Sequence, residues 1–404
     1  VLIQEDHRAP SVGVAVVYPV GTRDDPPGFA GLAHIVEHAM CERTPHIPEG
    51  LCAYQERLAA ETTARTSPDS TLFESELPAE LLERVLWVES ERMAYALAGF
   101  DDKALARIRQ TVRREWAERH DDLVSKAVAE ELYDEEHAYR RLSLEHAASD
   151  AIGIDEVRWF FQHGYGPRTA VLSIVGDIDA AIAARSVERY FGAIQSSAAF
   201  VDLRRKTPAF HGLRATRERD LLPGRYRNWH FETLDVVWPT PAYAAPGDAE
   251  LDVLAGLLGE RLQERFLDTG AVFMISVRQL SLQLGSEFQV HLSLVPGYEL
   301  DDALELVDHE LHALSTASEH FAGEQRARVL QALEAQAGFG SRAAQLADTE
   351  GSPLAARDGV ARYRALTASQ VAQAAQRYLI ARPRAIIRKP FNMFREGRPT
   401  DVKP

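Results

Sequence analysis

Gly28-Phe29-Ala30-Gly31-Leu32-Ala33-His34-Ile35-Val36-Glu37-His38-Ala39-Met40 is the stretch on which the reading of this sequence turns. Leu32, Ile35, Val36 and Met40 recur at helical spacing, and the preceding Asp24-Asp25-Pro26-Pro27-Gly28 is a turn of the kind that opens a helix. On a helix, positions i and i+4 share a face one turn apart, so His34 and His38 stand side by side. Two imidazoles so placed can share one tetrahedral zinc. A carboxylate at i+3, here Glu37, lies beside them and can take a proton from water. The plainer reading is a solvated polar face. Against it, the apolar neighbours bury this helix, and buried ionisable groups need partners or a metal.

Two histidines leave zinc short of protein ligands, because catalytic sites commonly use three plus water. Glu115 is the best third candidate. Ile108 and Val112 precede it on the apolar stripe of its helix and Trp116 follows, and a carboxylate on a core-facing stripe requires a cation. An ion pair with Arg113 or Arg114 is the alternative, and Glu118 is the second candidate ligand. His309-Glu310-Leu311-His312 also looks like a metal pair, but it falls in a strongly acidic amphipathic helix and reads as a solvated face. Cys41 could approach the metal; a buried small hydrophobe is the preferred reading. The sequence holds no G-x-S-x-G elbow and no phosphate-binding glycine loop.

Outward from the motif, Ser11–Gly21 places Val12, Val14 and Val16 at period two and reads as a strand. Leu77–Tyr95 and Lys103–His120 carry apolar residues at helical spacing, and Ala170–Val175 is an apolar run expected to be a buried strand. Leu203–Gly224 is charged, contains Pro208 and Pro223, and lacks periodicity. Beyond it the order restarts. Tyr226–Val237 reads as a strand, Asp248–Asp268 as a long helix, and Val272–Leu284 with Glu287–Val295 as paired strands. Helices follow at Leu300–Ala317 and from Gly323. Both halves close with a helix running into a strand, at Ile152–Val175 and at Leu366–Ile387. The expectation is an α+β protein of two tandem, similar α/β sandwich domains from a duplication, spanning 1–202 and 225–404 with a linker at 203–224.

The 404 residues carry a formal net charge of −15, which repels nucleic acid and anionic lipid and favours basic peptides. No apolar run is long enough to span a bilayer, so neither nucleic-acid nor membrane partners are expected. Two cysteines, Cys41 and Cys52, do not make a disulfide framework, and a reducing bacterial cytoplasm is the expected location. No basic segment followed by an apolar run opens the sequence. Export stays open, since the sequence begins at Val1 and a trimmed start would have lost its signal.

With these residues in view, the chain resembles the pitrilysin/insulinase family of zinc peptidases, the inverzincins, which carry H-x-x-E-H in place of the commoner zincin order. The resemblance spans nearly the whole sequence. It is strongest over Gly28–Met40, and Glu115 follows His38 at the distance where the family places its third zinc ligand. Tyr165-Gly166-Pro167 with Val175-Gly176-Asp177, and Tyr190-Phe191-Gly192, are similar to further family passages. The size resembles the short-chain branch that includes mitochondrial processing peptidase. The resemblance implies that branch's two-sandwich metallohydrolase fold, with Zn2+ on His34, His38 and Glu115 and Glu37 as general base. It also implies a chamber enclosed by two such chains.

Three positions depart from the family pattern. Ile108 stands where a second Glu often supports the ligand. Thr63-Ala64 stands where the substrate-binding edge strand usually reads Asn-Ala; strand addition uses backbone groups, so peptide binding is compatible with the change. In the second domain, active members use an Arg and a Tyr on the scissile carbonyl. Aligned on Gly270, these positions fall on Phe266, with Arg265 adjacent, and on Phe273. A phenyl ring has no polar hydrogen to donate. The expectation is a zinc endopeptidase subunit that cleaves peptides or a precursor, with Thr63, Ala64 and Arg265 as substrate contacts. Its partner would be a homologous sibling chain or a second copy. The alternative is a non-catalytic structural or recognition subunit of the same family.

Overall fold

The computed structural model describes residues 1–58, 61–119, 122–141, 151–197, 212–221, 231–267, 270–295, 297–315, 320–334, 338–348 and 360–390. They group into two compact units. The first takes Val1–His120, Arg141–Pro208 and Val329–Arg362; the second takes Asp121–Arg140, Ala209–Arg328 and Tyr363–Pro404. Each unit therefore draws a segment from beyond the sequence division expected at 203–224. Much of that expected linker lies outside the described residues, and its described part contains the strand β6 (Arg217–Asp220).

The first unit is built on a five-stranded sheet of β1 (Leu2–Glu5), β2 (Ser11–Tyr18), β3 (Glu61–Thr66), β4 (Thr71–Pro78) and β5 (Val171–Gly176), in the order β1-β5-β2-β4-β3. β1 runs parallel to β5 and the other pairs are antiparallel. β2 sits in the middle and is buried on both faces, so its apolar run is nearly continuous. Val12, Val14, Val16 and Tyr18 face one core, shared with α1 (Leu32–Ala39), α3 (Leu82–Tyr95), α4 (Asp102–Arg119), α6 (Ile154–Gly164) and α7 (Ala180–Phe191). Each such Val contributes about 1.5–3 kcal/mol of burial. Ala15 and Val17 face a second cluster with Phe339, Ala343, Ala344 and Ala347 of α11 (Phe339–Asp348). Gly13 is needed there: a Cβ on it would lie 2.0 Å from the Phe339 backbone.

The second unit repeats this plan. β6, β7 (Glu232–Thr240), β8 (Val272–Leu280), β9 (Ser286–Leu294) and β10 (Ala385–Lys389) form a sheet in the order β6-β10-β7-β9-β8, again with one parallel pair, β6 with β10. Leu234, Val236 and Trp238 of β7 bury against α8 (Asp248–Leu267), α9 (Leu300–Leu314) and α12 (Ala368–Ala374). α5 (Asp122–Leu132) packs on β6, β7 and β10. The second half also contributes α10 (Phe321–Glu334). Two tandem domains of one α/β plan, as expected from the sequence, are what the molecule has.

Two expectations are corrected. The helix read from Leu77 begins only at Leu82: β4 continues through Pro78, whose ψ of 136° is extended, and a 3₁₀ turn, Ala79–Leu81, intervenes. Cys41 and Cys52 form a disulfide with Cα atoms 4.9 Å apart. Cys41 follows α1 and Cys52 lies on α2 (Leu51–Arg57), and the Cys52 N–H donates to the Cys41 carbonyl at 3.4 Å, which closes the loop between them. Spacing of 11 residues carries no periodic signal for such closure.

Candidate metal centre

α1 is set in place from its N-terminus. Gly31 adopts φ 87°, a left-handed conformation that favours glycine. The Asp25 carboxylate accepts hydrogen bonds from the Gly31 and Ala33 N–H groups at 2.7 and 2.8 Å, satisfying helix donors that lack intrahelical partners. Burial pushes the Asp25 pKa up to about 8, against the lowering effect of those N–H donors. Leu32, Ala33, Ile35, Val36, Ala39 and Met40 are fully buried, which turns the remaining face, with His34 and His38, towards α4.

On that face the His34 and His38 Nε2 atoms lie 3.2 Å apart. Glu115 of α4 places its Oε2 3.3 Å from His34 Nε2 and 3.4 Å from His38 Nε2. A zinc–ligand bond of about 2.0–2.1 Å gives a coordination tetrahedron with edges of about 3.3–3.4 Å. The three donors thus have the spacing of one tetrahedral face, and two imidazoles with one carboxylate is a donor set that zinc takes. The residues present fit the metal expected from the sequence.

Glu37 lies behind this face and is 6% exposed. Its donor atoms fall within 4.8 Å of those of His34 and His38. Burial raises its pKa; the Thr66 hydroxyl and the charge of His38 work in the other direction. Thr66 donates to Glu37 Oε2 at 2.6 Å. Sequence reading missed Thr66, which is 29 residues from Glu37 and has no local signature.

Thr63 and Ala64 lie on β3, which pairs with β4 and forms one edge of its sheet. Thr63 is exposed, and Ala64 packs against the core that includes α1. Ile108 is buried in the same core. The Glu118 side chain lies outside the described residues.

Arg265 belongs to the second unit. Its Nε donates to Glu310 at 2.8 Å, and Arg261 donates to the other oxygen of that carboxylate at 2.9 Å. Glu310 is 0% exposed, which corrects the reading of His309–His312 as a wholly solvated face; His309 and His312 themselves are exposed. Phe266 is buried against Tyr298, and Phe273 is 68% exposed and stacks on Phe231.

Family comparison places the model "Insulinase (Peptidase family M16)" on residues 1–147 and "Peptidase M16 inactive domain" on residues 151–327. An uncharacterized zinc protease of Bacillus subtilis, YmxG, is 22% identical over 225 residues, covering 54% of this chain and 54% of that protein. The chain thus spans about half the length of this curated relative. Among solved structures, a protease from Helicobacter pylori superposes with a TM-score of 0.84 at 18% identity, covering 96% of each chain. A peptidase M16 inactive domain from Pseudomonas fluorescens gives a TM-score of 0.80 at 16% identity, covering 96% of this chain and 95% of that one. At such identities the structural likeness shows the fold. No helix among the described residues is long and apolar enough to cross a membrane.

Proposed function

The chain belongs to the insulinase (M16) peptidase family, and from that premise we propose that it is the zinc-bearing subunit of an endopeptidase. The observation that carries the reading is the triangle of His34, His38 and Glu115 donors at 3.2–3.4 Å with a buried carboxylate, Glu37, beside it. When bound, zinc would polarise the scissile carbonyl and acidify water. Glu37 would take the proton from water and pass it to the leaving amine. The peptide would add as a strand along β3 at Thr63-Ala64, where backbone groups are open at the sheet edge. The net charge of −15 favours basic peptides.

The metal chemistry is assigned to the sequence domain 1–202, with 225–404 as its homologue without a metal site. Phe266 and Phe273 supply no donor to a developing oxyanion, and Arg265 already serves Glu310. A homologous sibling chain with an Arg/Tyr pair in its second domain is therefore the proposed partner. A homodimer using Arg265 and Tyr298 is the alternative. The same absence of donors favours a second reading of the chain itself, a non-catalytic recognition subunit. The Cys41–Cys52 bond supports an oxidising compartment over the cytoplasm expected from the sequence.

The test is hydrolysis of a peptide library by the purified chain with zinc, after chelation, and with zinc restored. Cleavage that disappears and returns with the metal is the expected result. A chain that binds zinc and peptides yet cleaves none, with or without its sibling, would establish the recognition reading instead.

A further inference from the structure

Period two along β3 puts Thr62, Ala64 and Thr66 on the half-buried face and Glu61, Thr63 and Arg65 on the exposed face. The half-buried face carries Ala64 into the core shared with α1 and brings the Thr66 hydroxyl to Glu37. Three features of this contact suit a proton-handling carboxylate. At 2.6 Å it has the length of a charge-assisted O–H···O⁻ hydrogen bond. A hydroxyl both donates and accepts, so the contact survives when Glu37 carries the proton: Thr66 donates to the carboxylate and accepts from the acid. A backbone N–H can donate to either form but cannot accept from the acid. Finally, threonine is β-branched and stiff about χ1, so the strand backbone fixes where its oxygen lies.

We propose that Thr66 is the positioning residue for Glu37, fixing one carboxylate oxygen and tying it to the strand on which the peptide is aligned. Base and scissile bond then share one reference, the β3 backbone. The proposal rests on the peptidase reading for its consequence in turnover, and on the geometry alone for the position of the carboxylate.

The experiment compares zinc-loaded Thr66→Val, which keeps shape and removes the hydroxyl, with Thr66→Ser, which keeps the hydroxyl and removes the methyl. Thr66→Val should lower kcat about 10–100-fold, the worth of a hydrogen bond to a charged group. KM should stay within about threefold, with zinc content unchanged, while Thr66→Ser retains most of the rate. Introduced into Glu37→Gln protein, Thr66→Val should cost nothing further, because residues acting through one another are not additive. Wild-type turnover in Thr66→Val, equal damage from Thr66→Ser, or a full additional loss in the Glu37→Gln background would each overturn the proposal. Crystal structures of the wild-type and Thr66→Val proteins supply a readout without turnover. The Glu37 carboxylate should shift in the variant; an unmoved carboxylate overturns the proposal. A shift in a chain that hydrolyses nothing would uphold the positioning and count against the peptidase reading.

Discussion

The two units solve the same problem, a carboxylate held in the protein, in different ways. Their sheets have the same strand order and each carries a helix after its central strand, α1 after β2 and α8 after β7. In the first unit, Glu115 meets two imidazoles at 3.3 and 3.4 Å, a spacing that leaves room for a cation among the three donors. In the second, Glu310 is met by Arg261 and Arg265 at 2.9 and 2.8 Å, and these permanent cations neutralise it directly. α8 accordingly buries Leu251, Leu254, Leu258 and Leu262 and offers no imidazole. The duplicated scaffold therefore needs apolar residues on every helix facing the sheet, whereas the chemistry rests on a few positions of one helix face and one neighbouring helix.

If that contrast is right, changes in the two units should separate turnover from stability. The largest effect is expected for Glu37→Gln, which is nearly isosteric. It should retain zinc and a normal melt but lose about 10²–10⁴ in rate, the usual contribution of a general acid/base. Near-normal hydrolysis would remove Glu37 from the role. Next comes the deficit of the second unit. Loss of one oxyanion donor costs about 10²–10³ in rate, so a sibling chain bearing the Arg/Tyr pair should raise the activity of this chain by that order. A lone chain that is fully active, and unaffected by Arg265→Ala, would show that no shared donors are needed.

Smaller effects concern stability. Reducing Cys41–Cys52, or replacing both cysteines by serine, should cost about 2–3 kcal/mol, from the loop-closure entropy of a short loop. Thermal melts with and without a dithiol measure it, and superimposable melts would make the bond energetically idle. Glu310→Gln should cost about 1–3 kcal/mol, less than a fully buried ion pair, because both arginines reach solvent. Its zinc content should be unchanged. Zinc loss in that variant would erase the distinction between the two carboxylates.

Sequence reading reached different depths in the two halves of this comparison. His34, Glu37 and His38 are legible because one helical turn brings them together, so spacing alone states their geometry. Glu115 was reached through the apolar stripe of its helix and the family resemblance, since helical periodicity does not say which neighbour a face will meet. Thr66 and the Cys41–Cys52 pair were out of reach for the same reason: their contacts depend on tertiary closure. The exchange of segments was also hidden. Amphipathic patterns announce that α5 and α11 bury a face, but not that α5 packs on the sheet of the second unit and α11 on that of the first. The strands were clearest where both faces are apolar, as in β2, and least clear in β4, whose Glu74 and Glu76 interrupt the apolar pattern.

The central claim is that one helix face and Glu115 hold a single zinc ion. Metal analysis of dialysed wild-type, His34→Ala, Glu115→Gln and Glu37→Gln proteins tests it most directly. One zinc per chain is expected in the wild type and in Glu37→Gln, and weakened or absent zinc in His34→Ala and Glu115→Gln, with all four proteins folded. Stoichiometric zinc in both ligand variants, or none in the wild type, would contradict it.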